Sequence, residues 1–296
     1  MRIRRRTTSS YSGVVLANAS TVADDPWTTW SIDPLAIAIA VVALVLFLLG
    51  WRRLRRRRRE LAPWTRIALF GAGVASVLIG IVSPLDAIAE GYLQSGHMLQ
   101  HVLIADVGVA LAIVAVRGPL AMFFLPRVVL APLARLQWLR KALSFLLDPR
   151  IAVSLWLVVL AVWHVPALYE AALDHPVLHR VEHLTFILVG SLVWVLLIDP
   201  AGHGRLTVNG RIGLAVVLFW VGQLLAYPFA FGFTTYYDVY VDQPERLLGL
   251  SPLADQRLAG VVMMVEQALT LGVALFFLIR LARRQRATQR PSPEPA

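Results

Sequence analysis

Runs of about 20 apolar residues, separated by short arginine-bearing segments, recur along this chain and leave it one architecture. A run of that length is what an α-helix needs to cross the hydrocarbon layer of a bilayer. Inside lipid a backbone has no water to bond, so each crossing must satisfy its own N–H and C=O groups as a helix. Seven crossings are expected, at about 34–50, 64–82, 97–116, 151–170, 177–198, 211–231 and 256–279. The fold class is therefore all-α, a polytopic membrane protein built as a bundle of seven transmembrane helices. Composition agrees: 58% of the 296 residues are hydrophobic, which no soluble domain of this length requires.

The charges set the orientation. Basic residues crowd the connections 51–63, 117–150 and 199–211 and the C-terminal tail, whereas the loops 83–95 and 232–254 are mainly acidic. By the positive-inside rule the basic connections face the cytoplasm, which puts the N-terminus outside and the C-terminus in the cytoplasm. The formal net charge of +10 then reads as topology and attraction to anionic membrane lipid, not as nucleic-acid binding. Residues 1–32 are expected to be a disordered polar tail. Residues 33–280 form the seven-helix transmembrane domain, with an amphipathic, proline-broken interfacial segment at 120–147. Residues 281–296 are expected to be a basic disordered cytoplasmic tail.

The chemistry sits in the histidines. Four of the seven lie between Trp163 and His183. Pro176 suits the first turn of a helix, and a helix starting there sets His179 and His183 about 40° apart round its axis. His97 and His101 repeat that i, i+4 spacing, which lets two imidazoles face one point. His164 ends the fourth span at the same level, and Asp255 and Gln256 open the seventh, with Met263 below. Five histidines on three spans thus gather in one outer layer. Neutral imidazole is the commonest ligand of transition metals. The chain has no cysteine, so a His or His/Met site points to copper or iron before structural zinc.

A single interfacial histidine is more often a hydrogen-bonded core residue than a ligand. Two such pairs at one depth favour a metal or haem site. Glu182 has three readings: a ligand, a partner orienting an imidazole, or a carboxylate satisfying the helix N-terminus. The last two are preferred. Gln223 and Tyr227 are expected to complete the outer pocket. Asp106 and Glu266 lie deep in the bundle with roles left open. On a straight α-helix Asp106 is about 140° from His101, so a separate contact is expected for it.

The pattern His97-Met98-Leu99-Gln100-His101, Trp163-His164-Val165-Pro166-Ala167-Leu168-Tyr169, His179-Arg180-Val181-Glu182-His183 and Asp255-Gln256-x-x-Ala259-Gly260-x-x-Met263 resembles the CtaG family of bacterial cytochrome c oxidase assembly factors. Met264 departs from it, where an aromatic is expected. The resemblance implies a seven-span protein of the bacterial cytoplasmic membrane with no catalytic activity of its own. It implies a metal ion, copper, held by His97, His101, His164, His179 and His183 and delivered to cytochrome c oxidase subunits. Glu182, Asp255, Gln256 and Met263 support them. A homo-oligomer is compatible with the sequence. Two rivals stand beside this reading: a membrane haem protein moving electrons, since facing histidines also serve as axial haem ligands, and a metal or proton transporter.

Overall fold

The computed structural model describes residues 25–288. The helices are α1 Pro34–Arg57, α2 Thr65–Val82, α3 Pro84–Gly91, α4 Gln94–His101, α5 Gly108–Val116, α6 Pro119–Phe123, α7 Arg127–Arg135, α8 Gln137–Leu146, α9 Pro149–Trp163, α10 Pro166–Asp174, α11 Pro176–Ile198, α12 Val208–Phe231, α13 Asp238–Val241 and α14 Pro252–Thr288. A π-helical segment, Val102–Val107, joins α4 to α5 without a break. No strand occurs among the described residues.

Six of these stretches are long and apolar enough to cross a membrane: Pro34–Arg57, Arg59–Val82, Gln94–Val116, Pro176–Ile198, Val208–Phe231 and Pro252–Thr288. A seventh crossing is reached only if α8 and α9 together count as one broken span, and this differs from the continuous helix expected over 151–170. Helix α9 ends at Trp163, because Pro166 disfavours the helical region for the residue before it. Val165 accordingly has φ −68° and ψ 123°. At its other end α9 is bent by 70° from α8. Asp148 sits at that corner, accepting from the Arg150 N–H at 3.0 Å, and Pro149 fills the first helical position, where a missing N–H costs nothing.

The remaining connections follow local chemistry. Asp33 caps α1, accepting from the N–H groups of Leu35 at 2.9 Å and Ala36 at 3.0 Å. Segment 120–147 folds as the short helices α6, α7 and α8, with Val128 and Trp138 exposed. Helix α14 runs through the basic residues as far as Thr288, so the tail expected to be disordered from 281 is helical over its first part. Residues 1–24 and 289–296 of the two expected tails lie outside the described residues, while Asp25 to Trp30 begin with a turn closed by Asp25.

Lipid tails are as apolar as leucine, so membrane helices associate through close packing and hydrogen bonds rather than water exclusion. Helices α12 and α14 are the most extensively packed pair. Gly260 makes this approach: a Cβ there would overlap the Ala230 backbone. Gly190 does the same for α11, where a Cβ would lie 2.5 Å from the Ala105 carbonyl oxygen in the π segment. Leu188, Leu224 and Phe277 point outward and are exposed, the surface that lipid would cover. The result is a bundle in which α4, α9, α11 and α14 bring their site-bearing ends to one side.

Candidate metal centre

Helices α4 and α11 face each other across this end. Each carries a pair of histidines one turn apart, so four imidazoles meet between two backbones. The ring centroids are 4.2 Å apart for His97 and His101, 4.2 Å for His179 and His183, 5.4 Å for His97 and His179, and 5.1 Å for His101 and His183. His97 is fully buried and the other three nearly so. Glu182, one residue before His183, turns inward and is also buried. One ligand atom from each of His97, His101, His179 and Glu182 lies within 4.8 Å of all the others. Four ligands at a metal–ligand distance of about 2.0–2.1 Å sit roughly 3.3 Å apart in a tetrahedron. The set is therefore wider than a closed tetrahedral shell.

The hydrogen bonding of these groups is incomplete. Both ring nitrogens of His97, the Nε2 atoms of His101, His179 and His183, and Oε2 of Glu182 are buried with no hydrogen-bond partner. An unsatisfied buried polar atom costs about 1–3 kcal/mol, so a cluster of them persists only if something pairs with it. The His179 Nδ1–H donates to Glu90 Oε1 at 2.7 Å. That bond leaves Nε2 as a bare acceptor aimed into the cluster, the carboxylate–histidine arrangement that orients ligating imidazoles. Three nitrogens and one oxygen suit copper, zinc or iron.

The model of the cytochrome c oxidase caa3 assembly factor family (Caa3_CtaG) matches residues 45–285. The chain belongs to the Caa3_CtaG family. No curated protein and no solved structure matches it.

The two histidine pairs supply three of the four converging donors, and the other expected residues divide by position. His183 touches the rings of His179 and His101 but falls outside the group of four. His164 stands apart: its Nδ1–H donates to the Leu160 carbonyl at 2.7 Å and its ring packs on Phe229. Its buried Nε2 has no partner. Glu182, preferred from sequence as an orienting or helix-end carboxylate, has an oxygen among the converging donors, 3.8 Å from His101 Nε2.

Asp255 and Gln256 are not in the donor group; they brace it. Asp255 Oδ2 accepts from the Gln94 N–H at 2.7 Å, and Oδ1 accepts from the Ser95 N–H at 3.1 Å and hydroxyl at 2.5 Å. Those are the first N–H groups of α4, so this carboxylate caps the helix that carries His97 and His101. Gln256 accepts from the Tyr236 N–H and donates to the Thr234 carbonyl, both at 2.8 Å. It pins the loop after α12. Met263 packs in one buried cluster with Met98 and Tyr169. Gln223 donates to the Met264 carbonyl at 3.1 Å. Tyr227 is 60% exposed and faces away from the bundle, against expectation, because its helical position falls on the lipid side of α12.

Several contributors were missed from sequence. Glu90 is one; its place in an acidic loop seven residues before His97 was the available signal. The others form the roof. Tyr169 stacks on Tyr237 with ring centroids 3.8 Å apart, Tyr237 donates to the His164 carbonyl at 3.2 Å, and Tyr240 donates to the Ala89 carbonyl at 2.9 Å. Glu170 accepts from the Asp238 N–H at 2.6 Å. These bonds join residues far apart in sequence, and nothing local announces them.

Asp86 sits just outside the spans, accepting from Gln100 Nε2 at 2.7 Å. Burial, then the charge of Glu90, raises its pKa to about 6, opposed by Ser31, His179 and Gln100. The folded protein therefore favours the protonated acid. That contribution is complete below pH 4 and is lost as the pH rises towards 6. Asp86→Asn is expected to raise thermal stability in detergent at pH 7 relative to wild type, by at most about 3 kcal/mol since the carboxyl keeps some solvent, with the gain shrinking at pH 4. A melting series across pH 4–7 measures it, and a gain independent of pH would contradict this cause. Glu90→Gln weakens the hold on the His179 ring; a loss of about 10–100-fold in metal affinity is expected, read by competition with a chelator.

Proposed function

We propose that this Caa3_CtaG-family protein binds one copper ion through His97, His101, His179 and Glu182 and hands it to a cytochrome c oxidase subunit. The observation that carries this is the convergence of four buried donors from two helices within 4.8 Å, their free atoms otherwise unpaired. Imidazole, with the buried thioethers of Met98 and Met263, favours copper over the harder cations. Copper is cargo in this reading. Its release proceeds by ligand exchange, and His183 and His164, outside the group of four, supply further donors along the way. Glu90, 43% exposed on its side chain, is the edge of the set that reaches solvent, so the ion leaves past His179.

The arginine distribution supports a centre on the outer face of the bacterial cytoplasmic membrane. Four of the ring separations, 4.2–5.4 Å, put the imidazoles against one another without the slot a macrocycle needs between its axial rings, which favours a bare ion over haem. Metal analysis and a visible spectrum of detergent-purified protein test the proposal together. One copper per chain with no Soret band is expected in wild type, and none in the His179→Ala/His183→Ala double variant. Full copper retained by the double variant, or a Soret band, would overturn it.

A further inference from the structure

Below the imidazoles lies a cavity of about 110 Å³, lined by His101, His164, Asp106, Glu266 and Gln267 among apolar neighbours. About 10–15 Å³ of such space holds one water, so several fit. Polar partners for them are present. His164 Nε2 and Gln267 Oε1 are buried without a hydrogen-bond partner.

The floor is a pair of carboxyls. Asp106, in the π segment, accepts from Trp194 Nε1 at 2.5 Å, and Glu266 Oε1 accepts from the Thr270 hydroxyl at 2.8 Å. Both carboxyls line the cavity, and their side chains lie within hydrogen-bonding reach of each other. Among the described residues neither forms an ion pair with Lys, Arg or His. Two carboxylates side by side with no cation near them do not both ionise, and the stable state is one proton held between them. Ionisable groups at this depth are costly to keep unless they act. Asp106 lies five residues from His101, roughly 7 Å along the helix, close enough for a cation above to be felt below. The titratable side chains on the cavity wall are His101, His164, Asp106 and Glu266, and no Lys or Arg lines it.

We propose that this cavity holds water, that Asp106 and Glu266 share one proton at its floor, and that a cation entering the histidine centre expels that proton. The second half rests on the copper reading above. The balance is simple: one positive charge arrives at the imidazoles, and one proton leaves the pair through the cavity waters, with no change of oxidation state.

Infrared spectroscopy of the purified protein tests it, using cuprous ion added anaerobically as its acetonitrile complex. In the metal-free wild type, a protonated-carboxyl band is expected that shifts in D₂O and is missing in part from Glu266→Gln and from Asp106→Asn. The component lost in Glu266→Gln is the one expected to fade on copper addition. Proton release, read with an indicator, should be lower in Glu266→Gln by about one per ion bound. No such component in the empty protein would overturn the shared proton. A component that ignores D₂O would overturn the wet cavity, a test that needs only wild type. A component unchanged at one bound copper would overturn the linkage. If copper fails to bind wild type while the component is present, the histidine reading and the linkage fall together and the shared proton stands.

Discussion

Alanine at His97 should lower copper affinity by more than 100-fold. His97 is the member of the donor set with the least alternative use: its ring is fully buried and both nitrogens lack partners. Loss of an orienting partner alone costs about 10–100-fold in affinity, and loss of a ligand costs more. Glu182→Gln keeps the shape but removes the negative charge, and should rank next. His183→Ala, outside the group of four, should reduce affinity least and slow transfer to an acceptor instead. Equilibrium competition against a copper chelator gives the first three values, and stopped-flow transfer gives the fourth. Equal losses at His97 and His183 would show that the ion sits between all four rings rather than at the set described.

Asp255→Ala should be the most damaging change outside the donors. Three donors at the start of α4 lose their acceptor at once, two of them backbone N–H groups. Hydrogen bonds to charged groups contribute about 1.5–3 kcal/mol each, and rehydration returns part of that. A net loss of about 3 kcal/mol is expected, a fall of roughly 6–12 °C in the melting midpoint for a domain of this size. Asp255→Asn keeps one acceptor oxygen and should lose about half as much. If the alanine variant melts like wild type yet fails to bind copper, Asp255 acts on the ion and not on the helix.

The bundle and most of the centre were legible in the sequence because both obey periodic rules. Apolar length announces a crossing, and an i, i+4 spacing announces a shared helical face. The histidine pairs 97/101 and 179/183 are local patterns, and topology placed them at one level. What stayed hidden depended on long-range contact. Glu90 reaches His179 through tertiary packing, and Tyr169, Tyr237 and Tyr240 form a roof from segments about 70 residues apart. Asp255 looked like a pocket residue because its depth was right. Its actual partners, the first N–H groups of α4, can be named only once α4 and α14 are side by side. The break in the fourth span was legible in Val165-Pro166, but the apolar run that continues past it carried more weight.

Asp106 has the separate contacts expected for it, Trp194 and Glu266, yet it lines the same cavity as His101. An i→i+5 turn advances each residue by less than the 100° of an α-helix, so residues five apart lie closer in azimuth than the roughly 140° of a straight helix. The π segment between them makes that difference, and both side chains line one cavity. A single surplus residue thus works as a phase shifter inside one rod: it lets the upper half of the crossing hold imidazoles and the lower half aim a carboxyl at the same axis. Removing one residue from 102–107 would restore regular winding at no loss of hydrophobicity and swing the two halves out of alignment. The register of this crossing is therefore constrained by counting as strictly as by chemistry.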